Sequence, residues 1–97
     1  MREFIAEQYR SRTETNAAEH GARAARLGAE QLTREGTPVE FVRLIFIPED
    51  ETCFYIYKAE SIEAVRAAAA RTPLRFERVS EAVTEIGMPS GMKGSAK

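Results

Sequence analysis

The amino-acid sequence predicts an α+β fold, and three observations carry that prediction. Runs rich in branched and aromatic residues recur four times. Two segments of helix formers interrupt them, in the order strand, helix, strand, strand, helix, strand. The connection between the second and third runs is short enough for a hairpin and leaves no room for a crossover. That order matches the split βαβ arrangement of a ferredoxin-like fold: a four-stranded antiparallel sheet with both helices on one face. A small open sheet of different strand order would use the same elements, but each helix is long enough for a crossover, which favours the first arrangement.

The first strand is expected over Arg2–Tyr9, with Phe4 and Ala6 on one side and Ile5, Glu7 and Tyr9 on the other. From Asn16 to Glu35 the chain is rich in Ala, Glu, Arg and Leu, and Asn16 with Glu19 three residues on resembles a capping box. Gly36 and Pro38 stop this helix. Ala17, Gly21, Ala25, Gly28 and Leu32 share one side of it, a face of mostly small groups that can lie close against a sheet. Val39–Ile47 and Thr52–Lys58 read as two strands joined through Pro48, Glu49, Asp50 and Glu51. Ser61 caps a second helix from Ile62 to Arg71, which Pro73 ends. Leu74–Arg78 form a connector and Val79–Ile86 a last strand. Residues 1–86 are thus expected to form a single domain, with 87–97 a flexible C-terminal tail lacking periodicity.

Bulk properties narrow the partners. Fourteen basic and 15 acidic side chains are interspersed, for a net charge of −1, so no broad field draws nucleic acid or an anionic membrane. No run approaches the length of a membrane span, and no basic and apolar leader opens the chain, so the expected location is cytoplasmic. Cys53 is the only cysteine, which excludes an internal disulfide and a thiolate cluster.

Alternation assigns Phe4, Ala6, Val42, Leu44, Phe46, Phe54 and Ile56 to the face that meets the helices. The opposite face then receives Ile5, Glu7, Tyr9, Phe41, Arg43, Ile45, Cys53, Tyr55 and Tyr57. Such a surface is too apolar to stand open in water, and pairing of two sheets in a homodimer would cover it. The candidate ligand-binding residues are the polar and aromatic members of that set: Glu7, Tyr9, Arg43, Cys53, Tyr55 and Tyr57. Each has a plainer role as well. Glu7 and Arg43 can be an ion pair across the sheet, the tyrosines core or interface, and Cys53 a small buried hydrophobe.

Other motifs are weak. His20, the only imidazole, has no second His or clustered carboxylate and reads as a solvated surface group. Glu49–Asp50–Glu51 lacks the glycine and oxygen spacing of a calcium loop. There is no GxGxxG, phosphate loop or nucleophile elbow.

The segments "REFIAEQY", "GTPVEFVRLIFIPEDETCFYIYKAES" and "EAVRAAAARTPLRFERVSEAV" resemble a family of small bacterial nickel-binding proteins, formerly a domain of unknown function. The match spans nearly all of the chain before the tail, and "RLIFIPEDETCFYIYKA", with Arg43 and the "PEDETCF" hairpin, is its most specific part. The resemblance implies a ferredoxin-like fold, a dimer of the α+β barrel type, and nickel as the cofactor of some members. Members that look like metal binders carry a His in the second helix, where this chain has Ala67, Ala68, Ala69 and Ala70. Nickel would have to use Glu7, Cys53, the tyrosines or His20, a set poor in the nitrogen and sulfur donors it favours.

Two functions are therefore expected to compete. The first is a dimeric protein binding a small ligand between its sheets, with Arg43 on an anionic group and Glu7 on a cation or hydroxyl. The second is a cofactor-independent isomerase, cyclase or oxygenase acting on a carbonyl metabolite, with Glu7 as base and Arg43 and Tyr55 stabilising an enolate. An interaction module with no ligand is a third.

Overall fold

The computed structural model describes residues 1–83 and 85. Its elements follow the expected order: β1 (Arg2–Tyr9), α1 (Thr15–Arg34), β2 (Val39–Ile47), β3 (Thr52–Ala59), α2 (Ile62–Ala69) and β4 (Arg78–Ala82). The strands form one antiparallel sheet in the order β2-β3-β1-β4, with both helices on one face, a ferredoxin-like fold. The expected tail at 87–97, and Thr84 and Ile86 of the expected last strand, lie outside the described residues.

Helix α1 covers the sheet through small residues. Ala18, Gly21, Ala25, Gly28, Ala29 and Leu32 are its buried positions, which lets its backbone approach the strands and α2 closely. A Cβ at Gly28 would stand 2.7 Å from the Ala68 carbonyl oxygen of α2. The capping box does not form. The helix begins one residue earlier than expected, so Asn16 is already inside it, and Glu14 at the N-cap makes no side-chain cap hydrogen bond. Helix α2 does start on Ser61, whose Oγ accepts from the Ala64 N–H at 3.2 Å.

The β2–β3 connection is one turn of 3₁₀ helix, Pro48–Asp50, closed by Glu51 in the left-handed region at φ 49°. Proline at the first position lacks only a donor that would be unpaired anyway.

The two faces depart from the expected assignment in two places. In β2 the register slips between Phe41 and Arg43, so Val42 is an extra residue opposite β3. Val39 and Phe41 therefore face the helices on one side of the bulge, and Leu44 and Phe46 on the other, where strict alternation had put Phe41 on the open face. In β3 the expected faces are exchanged. Cys53, Tyr55, Tyr57 and Ala59 lie wholly buried under the helices, whereas Phe54 and Ile56 stand on the open face. The pairings fix this: Phe4 opposes Tyr57, Ala6 opposes Tyr55 and Gln8 opposes Cys53, and directly opposed residues share a face.

The core is consequently aromatic on the sheet side and small on the helix side. The Phe41 ring centroid lies 5.5 Å from that of Tyr57, and Phe76, from the segment after α2, lies 5.0 Å from Tyr55. Large rings on strands fill the space that alanines and glycines leave on the helices.

Candidate functional site

The six candidate residues divide between the two faces of the sheet. Glu7, Tyr9 and Arg43 project from the open face, with Tyr9 60% exposed and Arg43 exposed. Cys53, Tyr55 and Tyr57 project from the helix face and are inaccessible to solvent. The exchange of faces in β3 is the reason. It also means that Glu7 and Tyr55 lie on opposite sides of the sheet and cannot converge on one reacting atom.

On the open face, Glu7 pairs with Arg78 of β4 at 3.4 Å and not with Arg43. Strand order explains this, because β3 separates β2 from β1 whereas β4 is the direct neighbour, and Glu7 and Arg78 oppose each other in the ladder. The apolar members are Ile5, Ile45, Ile47, Phe54 and Ile56; Ile45 is 40% and Ile47 36% exposed. No helix among the described residues covers them.

On the helix face a polar cluster gathers at the C-terminal end of β1. Gln8, only 8% exposed, shares inward parity with Phe4 and Ala6. Its Oε1 accepts from Tyr55 Oη at 2.9 Å and from Arg10 Nη2 at 2.8 Å, and its Nε2 donates to the Arg75 carbonyl at 3.3 Å. The buried amide is thus used at both ends, as a buried polar group must be. Arg10 Nε and Tyr57 Oη are buried with no partner among the described residues.

Burial sets the acidity of this cluster. It raises the Cys53 thiol above its ordinary value, an effect that Arg10 opposes in part. It raises the Tyr55 phenol as well, with Cys53 adding and Arg10 opposing, and Tyr57 is raised most strongly. Cys53 is therefore a protonated core thiol and not a ready nucleophile.

Beside this cluster, a cleft of ≈ 380 Å³ opens between α1 and the segment leading out of α2, bordered by Gln8, Arg10, His20 and Arg75. Sequence reasoning placed His20 on the surface, where it is, but did not single out Gln8, Arg10 or Arg75. The available signal was Gln8 itself, an amide on the buried side of a strand.

Nickel does not fit the donors that the described residues offer. Among the described residues no group of three or more His, Cys, Asp or Glu side chains is placed to hold a metal ion. Cys53 is buried, while His20 is exposed on α1. Among the described residues no helix is long and apolar enough to cross a membrane.

No protein-family model and no curated protein sequence matches the chain. Among solved structures, the crystal structure of SCO4226 from Streptomyces coelicolor A3(2) is similar, with a TM-score of 0.66 at 20% sequence identity. The likeness covers 87% of this chain and 99% of that one, and at such identity what the two share is the fold.

Proposed function

We propose that the protein is a homodimeric small-ligand-binding protein in which two sheets pack open face to open face. One observation carries this reading: Ile5, Ile45, Ile47, Phe54 and Ile56 form an apolar surface that no helix among the described residues covers. Monomeric proteins seldom leave so contiguous a surface in water.

A second copy is the occupant that the charges favour. With a two-fold axis along the strands, β2 of one copy lies over the β1 and β4 side of the other. Arg43, which has no carboxylate partner among the described residues, is then set toward the second copy's acidic Glu7. Glu7, Tyr9 and Arg43 border the enclosed space, where a small ligand would find an anion-binding guanidinium, a carboxylate and a phenol. Tyr55, Tyr57 and Cys53 take no part, being on the other side of the sheet. The enzyme reading loses its pairing of Glu7 with Tyr55 for the same reason. The nickel role that the family resemblance implies would need ligands beyond the described residues.

Sedimentation equilibrium at micromolar concentration tests the assembly. Twice the chain mass is expected for the parent protein, with Ile45→Glu weakening association about tenfold or more while the circular dichroism spectrum is kept. A monomeric mass at tens of micromolar would overturn the reading.

A further inference from the structure

We infer that the cleft between α1 and the segment leading out of α2 is a second ligand site, one that takes the oxyanion of a small molecule, a carboxylate or a phosphate. It lies on the helix side of the sheet and stands whether or not the open faces pair.

Charge is the first argument. The formally charged side chains bordering the cleft are two guanidinium groups, Arg10 and Arg75, with the imidazole of His20 beside them and no carboxylate among the bordering residues. Four arginines outside the cleft have acidic partners, Arg2 with Glu81, Arg12 with Glu51, Arg71 with Glu35 and Arg78 with Glu7, whereas Arg43 on the open face has none among the described residues. Among the described residues neither cleft arginine has one. Cations concentrated in a concave site without counter-charge favour an anionic occupant.

Preorganisation is the second. Arg10 Nη2 is fixed on Gln8 Oε1, and Gln8 is itself fixed by Tyr55 Oη and by the Arg75 carbonyl. The guanidinium is therefore held in place by a buried network before any ligand arrives, so little side-chain freedom is lost on binding.

The third argument is fit. A guanidinium matches an oxyanion better than it does a neutral acceptor. Leu74 supplies an apolar wall for the carbon skeleton, and ≈ 380 Å³ falls within the size range of small-molecule pockets.

The test is a ¹H–¹⁵N correlation titration of the full chain with inorganic phosphate and, separately, with succinate, each against sodium chloride of equal ionic strength. Saturable shifts are expected at the backbone amides of Arg10, Gly21 and Arg75 and at the Arg10 Nε–H; the tighter of the two anions identifies the kind of oxyanion preferred. Arg10→Gln and Arg75→Gln should each weaken binding about tenfold, while Arg34→Gln, near the far end of α1, leaves it unchanged. Arg75 is exposed and its substitution spares the core, so that variant decides the matter if Arg10→Gln does not fold. Two outcomes would overturn the site: no saturable shift with either anion up to about 10 mM, or binding that Arg75→Gln leaves intact.

Discussion

Gly21 and Tyr55 share one small volume. A Cβ built on Gly21 would stand 2.2 Å from Tyr55 Oη and 3.3 Å from the ring carbon that bears it, so the missing side chain on α1 is what admits the phenol. Gly21→Ala gains about 1 kcal/mol of helix propensity but forces the ring or the helix to move, and overpacking of this kind costs about 1–3 kcal/mol. Tyr55→Phe alone loses the hydrogen bond to Gln8, worth about 0.5–1.5 kcal/mol. Combined, the two changes should be less harmful than their sum by about 1 kcal/mol or more, because the phenylalanine removes the atom that clashes. Urea denaturation of the four proteins of the cycle checks this, and strict additivity would rule the contact out as the cause. The exchange of faces in β3 is a residue-scale lesson too. Phe54 and Ile56 are more hydrophobic than Cys53, Tyr55 and Tyr57, so hydropathy alone puts the wrong set inside. The ends of the strand carried the better signal: Thr52 and Lys58 share parity with Phe54 and Ile56, and Ala59 shares parity with the tyrosines. What sequence alone could not show is the space left by Gly21.

Among the elements, the strands and helices were legible because length and period separate them well, and their starts and register were less so. Asn16 has the residue type of a cap but not the place, since the chain is already helical at Thr15, whereas Ser61 has extended backbone and accepts the Ala64 N–H. Ser61→Ala should therefore cost about 1 kcal/mol, and Asn16→Ala should be neutral or slightly stabilising on helix propensity. Thermal or urea melts of the two variants compare them directly; equal losses would contradict the assigned helix start. The β2 bulge was not legible, because Val42 is apolar and fits either face. Its effect falls on Phe41, which alternation puts on the open face and the bulge turns to the core, while Arg43 after it stays on the open face.

At the scale of the whole molecule, the sheet divides the chain into a helix side that holds the phenols and thiol and an open side that holds Glu7, Tyr9 and Arg43. This layout predicts a specific alkaline weakness. In the unfolded chain Cys53, Tyr55 and Tyr57 lose protons near their ordinary values of 9.0 and 10.0, while in the fold all three are raised, chiefly by burial. Above those ordinary values the folded state binds more protons than the unfolded one, so stability falls as pH rises. Urea midpoints should hold steady from these groups below about pH 8 and decline from about pH 9 to 11. Tyr57→Phe should flatten the decline, and at neutral pH it should be neutral or stabilising by about 1 kcal/mol, because the hydroxyl it removes is buried without a partner. A midpoint that does not move between pH 8 and 11 would show that these phenols are not buried in solution.

The extra residue at Val42 also decides how the chain bears a change in length. Without it, Val39, Phe41, Leu44 and Phe46 would alternate without a break, and Arg43, Ile45 and Ile47 would keep the opposite side. β3 has no such slack in its pairing with β1, where each residue from Thr52 to Ala59 has one partner, and the loss of a single residue there would carry every side chain beyond it to the wrong face. Insertions and deletions in homologous chains should accordingly gather in β2, at the sheet edge, and spare β3, which like β1 pairs on both sides.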